Sequence, residues 1–162
     1  MKIVYYIGCP GVGKTTLMRS ILAEYSKVEE PEWVKEGMVT YYKFAKQKVL
    51  ILGKYDERTF SGTDTWSKAA GVQFRQWLVD NREKYADWGC FGEGERLSNA
   101  PNMDAMFAEE SMKLVCLEVS EGELERRRAA RNNTQNESWM KGMKTRIANL
   151  RKRYTHTVEV IG

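Results

Sequence analysis

The chain has 162 residues, 42% hydrophobic and 30% charged, enough for one domain with its own core and unlike a disordered or fibrous composition. No apolar run approaches membrane-spanning length, and three cysteines without C-x-x-C spacing speak against a disulfide framework or a metal cluster. The net charge of +4 is uneven: from Arg126 to Arg153 ten Lys or Arg face one acid, while the rest carries sixteen against twenty-one, so a polyanionic partner is expected, either a nucleotide or nucleic acid.

Lys2-Ile3-Val4-Tyr5-Tyr6-Ile7 is a short apolar, β-branched and aromatic run, the pattern of a buried parallel strand. Gly8-Cys9-Pro10-Gly11-Val12-Gly13-Lys14-Thr15-Thr16 follows and fills every fixed position of G-x-x-x-x-G-K-[ST]. Thr15 to Tyr25 then carries Leu17, Ile21 and Leu22 at helical spacing. Strand, glycine loop and helix are the context a phosphate-binding P-loop needs. Its backbone N–H groups form an anion nest, and the helix aims its positive end at the same point. Residues Gly8 to Thr16 are therefore the expected ATP cradle, with Lys14 on the β- and γ-phosphates and the Thr15 hydroxyl on Mg²⁺. The loop starts so near Met1 that no leader segment is expected, and the cytoplasm is the expected compartment.

Val28 to Glu32 reads as a polar, proline-broken connection. Val39–Ala45 and Lys48–Gly53 read as two strands around a turn at Lys46-Gln47, the second buried. After the loop Thr59 to Asp64, Asp64 has the character of an N-cap. The helix it would open carries Trp66, Ala70, Phe74, Trp77 and Leu78 on one stripe and runs to about Arg82. A strand Trp88–Gly92 ends at Glu93-Gly94-Glu95-Arg96. A short helix over Met103–Glu110, a strand over Lys113–Val119 and a charged helix from Glu121 to about Arg131 follow. The polar stretch Asn132–Glu137 reads as a mobile connection to a helix from Ser138 to about Arg153, and Thr157–Ile161 as a closing strand.

Alternating strands and helices imply one α/β domain over residues 1–162: a mainly parallel sheet in three layers, with helices on both faces. Ligands in such folds sit outside the carboxyl ends of the strands. Glu93 ends a strand there and is the candidate second Mg²⁺ group or general base, with Glu95 as its competitor. Tyr55, Asp56, Asp64 and Arg96 are candidates for the acceptor side, Asp64 also for orienting the acceptor hydroxyl. Phe60 and Trp66 join Tyr55 as aromatics able to stack on a base. Arg127, Arg128 and Arg131 resemble a lid, in a region of about 121–140, that swings over the phosphates and excludes water. Lys141, Lys144, Arg146 and Arg151-Lys152-Arg153, with Trp139, suit either a nucleic-acid strand or a solvated helix face.

The glycine loop, the strand-end acid and the arginine lid together resemble the nucleoside-monophosphate-kinase-like group of P-loop kinases. The usual Asp-Arg pair of thymidylate kinases is replaced by Glu93-Gly94-Glu95-Arg96. Leu52-Gly53-Lys54-Tyr55-Asp56, Ser61-Gly62-Thr63-Asp64, Glu93-Gly94-Glu95-Arg96-Leu97 and Arg127-Arg128, with the Gln135 to Lys141 segment, are similar to bacteriophage kinases of 5-hydroxymethyluracil in DNA. That resemblance implies ATP as donor and, as acceptor and partner, DNA carrying a hydroxymethylated base, flipped out or presented single-stranded. A kinase of free nucleosides or nucleotides, and a P-loop NTPase switch without a phosphorylated acceptor, remain as alternatives.

Overall fold

In a computed structural model, residues 1–56, 60–130, 137–154 and 158–161 are described. Their strands form one seven-stranded sheet. In chain order the elements are β1 (Lys2–Ile7), α1 (Lys14–Ser26), β2 (Glu32–Glu36), β3 (Val39–Phe44), β4 (Val49–Leu52), α2 (Ala70–Asn81), β5 (Gly89–Glu93), α3 (Ala100–Phe107), β6 (Ser111–Leu117), α4 (Glu121–Ala130), α5 (Glu137–Arg153) and β7 (Val158–Ile161). The sheet order is β2-β3-β4-β5-β1-β6-β7. The five strands from β4 to β7 are parallel, and β2 and β3 extend them as an antiparallel pair.

The apolar run of β1 sits at the middle of the parallel part because both its faces are covered. Ile3, Tyr5 and Ile7 enter a core with Phe74 and Trp77 of α2 and Met103 and Met106 of α3. Tyr6 enters the core on the other face with Met18 of α1, Leu124 of α4 and Met140 of α5. The three-layer α/β arrangement expected from the sequence is thus the one observed. Helix α5 reaches both cores, since Ile147 and Leu150 lie in the first.

Three expectations are corrected. The stretch after Pro31 is not merely a connection: Glu32–Glu36 is an edge strand, joined to β3 by the two-residue turn Gly37-Met38. Gly37 has φ 63, which such a hairpin needs. Glu32, Lys35 and Glu36 give this edge the charge that hides a strand from an apolar pattern. Asp64 does not cap the helix that follows. Thr63–Thr65 is a 3-10 turn and α2 starts only at Ala70. Trp66, Ala70, Phe74, Trp77 and Leu78 are nevertheless all buried as the stripe implied. Helix α3 starts at Ala100, three residues early, because Asn99 caps it by accepting from the Asn102 N–H.

Candidate active site

The P-loop leaves β1 at Gly8, whose φ is 150; a Cβ there would stand 2.7 Å from the Leu117 carbonyl oxygen. The loop therefore packs flat against the end of β6, and only glycine fits. Helix α1 begins at Lys14 with no side-chain cap, so its first N–H groups face the cradle. Lys14 Nζ donates to the Gly8 carbonyl at 2.5 Å and to that of Cys9 at 3.2 Å. The lysine thus lies across its own loop.

Thr15 Oγ1 donates to Glu93 Oε1 at 3.2 Å, and the Tyr55 hydroxyl donates to the same oxygen at 3.1 Å. Glu93 pairs with Tyr6 across the β1–β5 register and is 2% exposed. Burial pushes its carboxyl up to about 7; Lys14 opposes the shift and Asp64 adds to it. A threonine hydroxyl and a carboxylate are hard oxygen donors, and Mg²⁺ needs few of them because it keeps water and phosphate ligands. Among the described residues no three acidic, Cys or His side chains gather as a metal cluster.

The turn after Glu93 is clamped from several sides. Tyr5 Oη donates to the Gly94 carbonyl at 2.7 Å, Ser98 Oγ to the same carbonyl at 2.8 Å, and Thr63 Oγ1 to the Glu93 carbonyl at 2.9 Å. Asp64 Oδ1 accepts from the Arg96 N–H at 2.9 Å. Asp64 therefore ties the Thr63–Thr65 turn to the β5 turn. Burial raises its carboxyl, opposed first by the N–H and the charge of Arg96.

Glu95 was the lesser candidate in the sequence, and the structure brings it forward. Its Oε2 takes no hydrogen bond. Arg146 pairs with that oxygen, its Nη1 at 3.8 Å. Burial raises its carboxyl, against Lys14 and with Asp64, so it lies within electrostatic reach of both. Arg146 reaches it from α5, a contact that the sequence spacing does not show.

The other candidates fall as follows. Asp56 pairs with Lys54 at 3.6 Å, and its carbonyl accepts from Arg19 at 2.8 Å. Tyr55 faces Glu93, and its N–H donates to the Tyr42 hydroxyl. Trp66 is core, its Nε1 donating to Thr40 Oγ1. Phe60, by contrast, is 63% exposed. The Arg96 side chain is half-buried, and its Nε takes no hydrogen bond.

Arg127 is folded onto the P-loop. Its Nη1 donates to the Val12 carbonyl at 3.1 Å and the Gly11 carbonyl at 3.3 Å, and Glu123 holds its Nε at 2.6 Å. The Arg128 stem passes 3.8 Å from the position of a Cβ on Gly11. Arg131, and the connection between α4 and α5, lie outside the described residues. On α5, Lys144 pairs with Glu121, Arg146 with Glu95, Arg151 with Glu118 and Arg153 with Asp104. Four of its six cations are thus matched within the chain.

A family model described as P-loop Nucleotide Kinase3 matches residues 1–160. The chain belongs to this P-loop nucleotide kinase family. The comparison with curated proteins returned no match. Membership fits the geometry: a P-loop between β1 and α1, with Lys14 and Arg127 both folded onto its carbonyls. Among the described residues no helix is long and apolar enough to cross a membrane.

Proposed function

We propose that the chain transfers the γ-phosphoryl group of ATP to the hydroxymethyl oxygen of 5-hydroxymethyluracil in DNA. The observation that carries a transfer reaction is the Thr15–Glu93 contact at the end of β5, with Lys14 in electrostatic reach of both Glu93 and Glu95. A second carboxylate there can orient an acceptor hydroxyl, a role that motion of a partner does not call for. DNA as the acceptor is supported by the likeness of the loop motifs and by Phe60, exposed next to the loop that reaches Glu93 through Gly62.

Thr15 and Glu93 fit Mg²⁺, which when bound neutralises charge on the β- and γ-phosphates. Lys14 exchanges the Gly8 and Cys9 carbonyls for phosphate oxygens. Arg127 leaves its two carbonyls for the γ-phosphate and keeps water out. Glu93 is engaged by Thr15 and Tyr55, and Asp64 by the turn, so Glu95 is the acid best placed to accept a hydrogen bond from the acceptor hydroxyl. The bond from the acceptor oxygen to phosphorus forms as the bond to the β–γ bridging oxygen breaks. ADP leaves, and the hydroxyl proton passes to Glu95 and then to solvent.

The pairing of four α5 cations favours a second reading, phosphorylation of a free nucleoside or nucleotide, because a paired cation draws a polyanion less strongly. Incubation with γ-labelled ATP decides between them: label in hydroxymethyluracil DNA supports the first, and label in free nucleosides alone the second.

A further inference from the structure

A groove of ≈ 550 Å³ runs between the segment after β5 and one face of α5, lined by Asn99, Gly142, Thr145, Arg146, Asn149 and Arg153 with their neighbours. Its volume is in the range of ligand sites, about 300–1,000 Å³, and its walls are mixed. Ala100 and Leu150 give it an apolar floor, and the amides of Asn99 and Asn149, the hydroxyls of Ser98 and Thr145 and the two guanidiniums give it polar groups. Gly142 of α5 borders it and has open space beside it: a Cβ there would meet nothing within 4 Å.

The two arginines set the scale of the occupant. Arg146 and Arg153 are seven residues, two turns, apart on one face of α5, so their Cα atoms lie about 10 Å apart along the axis. Held by different acids, Glu95 and Asp104, the two guanidiniums offer separate contacts to successive phosphates. Arg146 leans on Glu95 at 3.8 Å and Arg153 on Asp104 at 2.9 Å, and each remains about half exposed. A guanidinium has five donors in a rigid fork, so a single acid orients it without exhausting it. The Arg146 end adjoins Glu95, where the acceptor hydroxyl is held.

We propose that this groove holds the strand flanking the reacting base, with Arg146 and Arg153 on two phosphates of that strand and Asn99 and Asn149 on its sugars and base edges. The proposal rests on the DNA-acceptor reading above and adds a place for the polymer that a mononucleotide acceptor would leave empty.

The test uses the full chain and a fluorescein-labelled single strand of roughly twelve nucleotides, within the span such grooves cover, containing one 5-hydroxymethyluracil. Anisotropy is read across a salt series for the wild type, Gly142→Leu and Arg153→Gln. Leucine fills the groove and is a better helix former than glycine, so α5 is retained. Gly142→Leu should weaken binding about tenfold, and Arg153→Gln should reduce the salt slope by about one. Affinity for a fluorescent ATP analogue should not change. Wild-type failure to bind the strand at low salt, unchanged strand binding in both variants, or a loss of ATP affinity in Gly142→Leu would each overturn the groove assignment. A strand that binds in a groove-dependent way yet takes no label from γ-labelled ATP supports the groove and removes the kinase reading of the acceptor. A labelled strand with both variants unaffected does the reverse.

Discussion

Thr15 Oγ1 reaches Glu93 Oε1 across 3.2 Å, joining the first turn of α1 to the end of β5. This contact closes the phosphate side of the site without any ligand. It also places Glu93 beside Lys14, so that one buried acid and one cation share the space where the terminal phosphates belong. Lys14→Ala should remove the P-loop's own cation from this arrangement. Its transfer rate should fall by at least about 10²–10³-fold, the cost of losing one positioned donor, with the melting temperature little changed. Turnover near that of the wild type would sink the proposed role of the loop lysine.

Glu93 should make the nucleotide-free protein less stable as pH rises. Its folded-state carboxyl titrates at about 7, against a reference value of 4.5. The folded protein therefore holds a proton that the unfolded chain has lost. The group's contribution is complete below 4.5 and lost as pH rises through 7, an effect on the order of 3 kcal/mol. Denaturant unfolding of wild type and Glu93→Gln from pH 4.5 to 8 measures it. The glutamine variant should lack this slope; parallel curves would contradict the assignment.

Glu95→Gln should leave ATP affinity within about twofold and lower the transfer rate by about 10²-fold, the lower range for an acid–base group. The pH profile separates this from a structural effect. Loss of a proton acceptor removes the acidic limb of the rate profile, whereas loosening the turn lowers the rate uniformly. A uniform fall would return the acceptor role to Asp64.

Asp64→Ala should cost about 1–3 kcal/mol, because it leaves the part-buried Arg96 N–H without its charged acceptor. Asp64→Asn keeps an oxygen at that position and should lose less. Gly53→Ala should be more damaging than either. Its φ is 84 and the new Cβ would fall 2.0 Å from the carbonyl carbon of Gly62, a backbone clash that places the change among the severe class above about 4 kcal/mol. Urea midpoints that rank these three otherwise would contradict the interlock between the two turns.

The donor half of the site was legible in the sequence because its residues are neighbours in the chain. Gly8 to Thr16 carry strand end, nest and helix start within nine positions, and Glu93 follows a strand whose apolar run is plain. The acceptor half was not, because its contacts are made across the fold. Asp64 looked like a cap for the helix ahead of it, but its partner, the Arg96 N–H, lies thirty-two residues on. The ion pair of Glu95 with Arg146 comes from α5, fifty-one residues on in sequence. The charge run on α5 was visible, but not the acids that Glu95, Asp104, Glu118 and Glu121 bring to it. The edge strand Glu32–Glu36 escaped notice because it earns its place by pairing with β3, not by burying an apolar face.

The acceptor is decided most directly by one labelling experiment. γ-labelled ATP and Mg²⁺ are offered to the protein with free nucleosides, nucleoside monophosphates, unmodified DNA and 5-hydroxymethyluracil DNA in parallel. Label should enter only the hydroxymethyluracil DNA, on the hydroxymethyl oxygen, and Lys14→Ala should abolish it. Label confined to free nucleosides or nucleotides, or phosphate release with no labelled acceptor, would contradict the assignment.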